Sequence, residues 1–234
     1  MTTILLHPIG LDRTTWDVLE RPDWHAIDLP GHGASDPAGA STLGEVADFV
    51  ISLTAQSEPV DLVGLSLGGM IALHAGIRHP DRVRSLVVAC APAAAPAETM
   101  MRRADETEQY GMAATLSETL ARWFSPSFLT ARPDVLIRVE ERLLADDAYT
   151  IGRYWRLIAG HDVRPQLPGL QLPVTVIAGS ADSSVPPSTA RGLAAGLSNA
   201  RFVELEGAHM LHLESPHTFR RAVLAHLAWV TRTN

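Results

Sequence analysis

The pentapeptide Gly64-Leu65-Ser66-Leu67-Gly68 constrains this chain more than any other stretch. It follows Val60-Asp61-Leu62-Val63, a short apolar run that predicts a buried strand. It precedes Gly69 to Ile77, whose pattern predicts a helix that ends ahead of Pro80. A strand that turns directly into a helix brings the two backbones so close that a Cβ on the flanking residues would collide. The serine at the corner is then held in a strained conformation, with its hydroxyl exposed at the carboxyl end of the strand. The pentapeptide alone does not decide the matter, because a chain with 17 glycines among 234 residues meets it by chance in roughly one case in ten. What decides is whether a base and an acid follow at matching places.

Apolar runs alternate with helical patterns along most of the chain. Strands are expected at Thr3–Leu6, His25–Leu29, Val60–Leu65, Ser85–Ala91, Val174–Ala178 and Arg201–Leu205. Helices are expected near Leu43–Gln56, Gly69–Ile77, Ser188–Ala195 and His217–Val230, the last opened by Ser215-Pro216. This is the α/β class: a mostly parallel sheet of about six strands with helices on both faces. One region breaks the alternation. Between Ala93 and Pro168 no strand signal occurs, and helical patterns run near Glu98–Tyr110, Ala113–Phe124, Pro133–Ala145 and Ala148–Ala159. The expected organisation is a core built from residues 1–92 and 169–234, with residues 93–168 inserted as a helical cap. Such a cap would cover the carboxyl edge of the sheet, where open parallel sheets bind ligands.

Gly179-Ser180-Ala181-Asp182 follows the fifth expected strand, and Gly207-Ala208-His209 follows the sixth. The order Ser66, Asp182, His209 is the one required when a strand-to-helix elbow carries the nucleophile. A neutral serine is a weak nucleophile. A histidine must take its proton, and a carboxylate must fix the imidazole tautomer and stabilise its cation. Glu204 and Glu206 are alternative acids, but they belong to the strand that leads to His209 itself, so Asp182 is preferred. Two N–H donors for a developing oxyanion are expected from Leu67, directly after the nucleophile, and from Ile9 in the turn His7-Pro8-Ile9-Gly10. Pro8 has no N–H to offer, and His7 is read as a brace for the turn.

The formal charge of −7 and the absence of any basic run argue against a nucleic-acid partner. All 19 basic residues are arginine, so chemistry that needs a phosphate-loop or Schiff-base lysine is excluded. Cys90 is the single cysteine, which rules out a disulfide framework or a thiolate metal cluster and reads as a buried, inert thiol. No metal and no organic cofactor is expected. No apolar stretch reaches membrane-spanning length and the first residues already read as a strand, so neither a membrane anchor nor a signal peptide is expected and the expected location is cytoplasmic.

With the elbow and the later acid and base, the segments Asp28-Leu29-Pro30-Gly31-His32-Gly33-Ala34-Ser35-Asp36, Arg78-His79-Pro80-Asp81-Arg82-Val83 and Leu213-Glu214-Ser215-Pro216 make the chain resemble the α/β-hydrolase superfamily over essentially its whole length. Within it, Tyr154 through Asp162-Val163-Arg164, Ala178 to Asp182 and Ala208 to Glu214 are similar to the 3-oxoadipate enol-lactonase and small carboxylesterase branch. Two departures mark this chain. Pro8 replaces the second glycine of the superfamily's His-Gly turn, and the superfamily's two N-terminal strands are missing because Thr3–Leu6 already matches the third.

The resemblance implies a serine hydrolase acting on a small-molecule ester or lactone through an acyl-enzyme. A C–C bond hydrolase of aromatic ring-cleavage products, a non-turnover small-molecule receptor and a cofactor-free haloperoxidase on the same fold are the alternatives. Haloalkane dehalogenation is disfavoured because Ser66 stands where that chemistry needs a carboxylate. Trp16, Trp123, Tyr154 and Trp155 are candidate pocket walls, with Met210 beside His209 as a further candidate substrate contact. Arg122, Arg138, Arg153 and Arg156 fall in the expected cap, where a solvated helix face is the default reading, and no carboxylate clamp is assigned.

Overall fold

The computed structural model describes residues 2–37, 39–55 and 58–233. Six strands form one sheet: β1 (Thr3–Leu6), β2 (His25–Ile27), β3 (Val60–Leu65), β4 (Val83–Ala89), β5 (Val174–Gly179) and β6 (Ala200–Leu205). Their spatial order is β2-β1-β3-β4-β5-β6, and all five pairings are parallel. Parallel strands need crossovers. These are supplied by α1 (Leu43–Ser52), α2 (Leu67–Arg78) and α8 (Pro187–Gly196), with α10 (Pro216–Thr233) closing the chain. Strands β1, β3 and β5 are buried along their whole length, as a sheet covered on both faces requires.

From β1 the chain runs outward to β2 at the edge, and then returns to place β3 on the other side of β1. The loops leaving the carboxyl ends of β1 and β3 therefore diverge and open a crevice at that edge. Residues 7–10 leave one strand and Ser66 leaves the other.

Between β4 and β5 lie α3 (Ala97–Tyr110), α4 (Met112–Trp123), α5 (Pro126–Ala131), α6 (Pro133–Leu144) and α7 (Ala148–Ala159). The two ends of this insertion are pinned together by an antiparallel bridge of Ala94 with Asp162. Hydrogen bonds from Ala95 N to His161 O (2.9 Å) and from Val163 N to Ala93 O (2.9 Å) flank it. Among the described residues, no helix is long and apolar enough to cross a membrane.

The differences from the expected elements are local and have local causes. Strand β2 stops at Ile27 because the chain beyond it bonds to side chains instead: Asp28 accepts from the Arg13 and Ala34 amides, and the Leu29 amide donates to His7. Strand β4 ends at Ala89 because Cys90 takes a positive φ of 49° that no strand continues through. Helix α1 ends at Ser52 rather than at Gln56, which lies outside the described residues. The 3₁₀ turns Arg13–Leu19 and Arg164–Gly169, helix α5 and the four-residue α9 (Leu211–Glu214) are too short to carry a periodic signal.

Candidate active site

Ser66 joins β3 to α2 with φ 55° and ψ −115°, a conformation a side chain seldom adopts. Packing holds it there. A Cβ on Gly64 would lie 2.1 Å from the Gly68 carbonyl oxygen, and one on Gly68 would lie 2.0 Å from the carbonyl oxygen of Leu6 in β1. Glycine is thus required on both sides of the serine by backbone contact. The Ser66 amide donates to the Ala89 carbonyl at 2.9 Å, which ties the corner to β4. Although Ser66 stands at the helix N-cap, its hydroxyl makes no capping bond. It lies 3.0 Å from His209 Nε2 instead.

His209 Nδ1 lies 2.8 Å from Asp182 Oδ2. A carboxylate only accepts, so Nδ1 carries the proton and Nε2 is left to accept from the Ser66 hydroxyl. The other Asp182 oxygen, Oδ1, accepts from the Ser184 amide at 2.8 Å and the Val185 amide at 2.9 Å. All three side chains are buried. The loops that carry the acid and the base are also bound to each other, through Ser180 N to Leu205 O (2.8 Å) and Ala181 N to Gly207 O (2.9 Å). The structure thus brings Ser66, His209 and Asp182 into one hydrogen-bonded row. Glu204 instead pairs with Arg191 on the surface at 3.1 Å.

Leu67 opens α2, so its N–H has no partner within the helix and stands at the positive end of the helix dipole. Ile9 lines the same cavity as Ser66 and His209. Its peptide is oriented from behind by His7. The Leu29 amide donates to His7 Nε2 at 2.9 Å, which leaves the proton on Nδ1 to meet the Pro8 carbonyl at 2.8 Å. In a trans peptide the Ile9 N–H points opposite to that carbonyl. Burial pushes the His7 pKa down to about 4, so the ring is neutral and this pattern holds at neutral pH.

The cavity over Ser66 measures about 180 Å³ and is walled by Met70, Pro96, Met100, Trp123, Trp155 and Ile158, with Arg103 and Arg122 among them. Trp123 and Trp155 therefore face the cavity, whereas three other expected contacts do not. Trp16 packs on His212 (ring centroids 4.7 Å) and Phe219 (5.9 Å). Tyr154 donates its hydroxyl to the Pro30 carbonyl at 2.8 Å and meets the edge of His32. Met210 is fully buried, its amide bonded to the Trp123 carbonyl at 3.1 Å. All three are core residues, and the spacing of apolar bulk does not separate a core face from a pocket wall.

Three contributors escape a reading of the sequence. Glu214 accepts from the Ala208 amide at 2.7 Å and from the Ser125 amide at 2.6 Å, so one carboxylate fastens the His209 loop to the start of α5. Arg103 faces the cavity from α3. Cys90 lies against Asp182, and burial foremost, with the nearby carboxylate adding to it, pushes the thiol pKa well up. Cys90, Asp182 and His209 are the one group among the described residues close enough to share a metal ion, with ligand atoms within 4.8 Å. The donor set does not suit one: Nδ1 and Oδ2 are spent on each other and the thiol stays protonated.

The chain is similar to 3-oxoadipate enol-lactonase 2 of Acinetobacter baylyi, at 29% identity over 202 residues covering 85% of this chain and 76% of that protein. It is similar to the pimeloyl-[acyl-carrier protein] methyl ester esterase of Chromobacterium violaceum, at 30% identity over 241 residues covering 96% and 93%. The crystal structure of the enol-lactonase from Burkholderia xenovorans LB400 superposes with a TM-score of 0.91 at 27% identity, covering 97% of this chain and 90% of that one. Residues 3–222 match the alpha/beta hydrolase family, to which this chain therefore belongs.

Proposed function

We propose that the protein hydrolyses a small carboxylic ester or lactone through an acyl-enzyme on Ser66. The observation that carries this reading is the row Ser66 Oγ–His209 Nε2 (3.0 Å) and His209 Nδ1–Asp182 Oδ2 (2.8 Å), facing a cavity of about 180 Å³. The relatives named lactonase and methyl ester esterase support the same bond type. The cavity size favours a short acyl group over a long lipid chain.

In this mechanism His209 takes the Ser66 proton as Oγ attacks the carbonyl carbon, and Asp182 stabilises the imidazolium that results. The N–H groups of Ile9 and Leu67 receive the oxyanion; loss of one such donor costs about 10²–10³ in turnover. Collapse breaks the C–O bond, and His209 hands its proton to the departing oxygen. A water molecule then repeats the cycle, with His209 taking its proton and Ser66 Oγ leaving. Helices α3–α7 act as a cap that excludes bulk water and shapes the acyl pocket.

The test is a p-nitrophenyl ester series from acetate to octanoate with wild type and Ser66→Ala. The expected outcome is multiple turnover on the short esters, reduced by about 10⁴-fold or more in the variant while its melting temperature holds. Turnover that persists in Ser66→Ala, or a folded wild type that turns over none of the esters, would overturn the reading.

A further inference from the structure

The turn that carries Ile9 is held from two sides. On the core side, His7 fixes the Pro8 carbonyl. On the other side the insertion sits directly on Gly10, where a Cβ would stand 2.6 Å from Leu143 Cδ2 and 3.7 Å from both Asp146 Oδ2 and Trp123 Cη2. Arg142, in the last turn of α6, secures that contact. Its Nε lies 2.8 Å from Oδ2 of Asp12, which follows Gly10 by two residues. A terminal nitrogen of the same guanidinium donates to Asp146 Oδ1, just past the end of α6. Asp12 is fixed in turn, because its Oδ1 accepts from the Thr14 amide at 2.9 Å and so caps the 3₁₀ turn Arg13–Leu19. The guanidinium thus bridges the loop after β1 to the cap.

This bridge is withdrawn from water: the Arg142, Asp12 and Asp146 side chains are 20%, 15% and 3% exposed. An ion pair so placed stabilises a fold little more than apolar side chains of the same volume, because desolvation takes back most of the attraction. Asp146 shows the cost. Its Oδ2 has no hydrogen-bond partner among the described residues. Burial foremost lifts its carboxyl to about 7 against the pull of Arg142, with Asp12 and Asp147 adding to the lift. What the arrangement does supply is geometry. A planar fork held at two carboxylates sets the distance between α6 and the loop, and with it where Gly10 and the Ile9 peptide stand.

We propose that Arg142 is a positioning residue for the oxyanion donor Ile9, through which the cap sets the turnover of Ser66 from outside its cavity. The inference rests on the Ser66 reading and adds what holds one of its donors in place. Arg142 lines a separate cavity of about 230 Å³ with Asp12, Arg138 and Val139. The Ile9 N–H acts on the tetrahedral oxyanion, so an error in its place lowers kcat more than it raises KM. Misplacement by about 1 Å costs up to about 10²-fold, short of the cost of losing a donor outright.

The test compares wild type, Arg142→Met and Arg156→Met on a short p-nitrophenyl ester and on a short alkyl trifluoromethyl ketone. The ketone mimics the tetrahedral state: Ser66 Oγ bonds to its carbonyl carbon, the serine proton passes to His209, and the carbonyl electron pair becomes the oxyanion. In Arg142→Met, kcat should fall about 10- to 10²-fold with KM within about three-fold, and affinity for the ketone should fall in parallel. Asp146 then stays protonated at neutral pH, since the cation that lowered it is gone. Arg156 pairs with Glu108 (2.7 Å) and Asp105 (3.0 Å) inside the cap, so Arg156→Met should leave both readouts near wild type. Should Arg142→Met fail to fold, Arg142→Lys keeps the charge and lacks the fork, and should lose about five-fold or more in both. An Arg142→Met or Arg142→Lys protein as fast as wild type, a kcat loss with ketone affinity unchanged, or an equal loss in Arg156→Met would overturn the proposal. Any of these would leave the hydrolase reading standing. A wild type that turns over no ester, with ketone binding still weakened by Arg142→Met, would leave the positioning role standing instead.

Discussion

Asp182 and Glu214 each hold a catalytic loop by pairing carboxylate oxygens with backbone N–H groups, and they differ in what is left over. Asp182 spends Oδ1 on two amides and keeps Oδ2 for His209. In Asp182→Asn the side-chain NH₂ faces His209 Nδ1 and donates to it, which places the imidazole proton on Nε2, and kcat on a short ester should fall by about 10⁴-fold with little change in melting temperature. Steady-state kinetics beside a thermal melt checks this; a ten-fold loss or less would contradict it. Glu214 spends both oxygens on amides and touches no reacting atom, so it is a positioning residue. Glu214→Gln replaces one acceptor with an NH₂ group facing an N–H, at a cost of about 1–2 kcal/mol in urea unfolding. Its kcat should drop about ten-fold while KM moves less, whereas a purely structural role would lower stability and spare kcat. Ser66, Asp182 and His209 are legible in the sequence because each stands in the turn or loop that leaves a strand, and a strand's end is a place in space as well as in the chain. Glu214 and Arg103 are not: their roles depend on what helices of another segment bring beside them, and one acidic or basic residue on a helix looks like any solvated one.

At the scale of elements, the elbow works because β1, β3 and α2 touch backbone to backbone. Leu6 pairs with Gly64 across the sheet, and the Leu6 carbonyl meets the start of α2 at Gly68. Neither neighbour can withdraw without breaking the ladder. Gly68→Ala should therefore cost about 3 kcal/mol or more. Gly192, within α8, has nothing within 4 Å of where a Cβ would stand. There Gly→Ala should stabilise by about 0.5–1 kcal/mol. Urea unfolding of the two variants side by side checks the contrast, and similar stabilities would contradict the packing argument. The buried strands and long helices were readable because periodicity averages over many residues. Strand β2 is shorter than its apolar run because Leu29 turns its amide to the His7 ring, a contact set by a residue 22 positions away. Trp16 and Tyr154 look like pocket walls in the sequence and are core in the structure, because an aromatic ring satisfies either role equally well.

Across the whole molecule, the buried imidazoles set the response to acid. His7, His74 and His226 are pushed down to about 4, and His212 to about 3, chiefly by burial. Each is neutral inside a polar or aromatic arrangement that needs it neutral. His7 accepts from Leu29, and His226 lies between Thr175 (2.8 Å) and Ser85 (2.9 Å). An unfolded chain protonates these rings below about pH 6.5, the folded one only near pH 4 or lower. Stability is therefore complete above pH 6.5 and is lost progressively as pH falls towards 4, where a fully buried ring such as His7 has withdrawn about 3 kcal/mol. Asp146 acts in the opposite sense. Burial lifts its carboxyl to about 7 against the pull of Arg142, so ionising it is a cost that acid removes. Burial also lowers His32 and His161, and one carboxyl group set against six imidazoles leaves acid destabilisation as the net result. The melting temperature should hold from pH 8 to about pH 6.5 and then fall steeply towards pH 4. His226→Gln should flatten part of that fall, since an amide can serve Thr175 and Ser85 without titrating. A melting temperature that stays level or rises between pH 6.5 and 4 would mean that the folded state holds these imidazoles protonated, contrary to the hydrogen bonds they make.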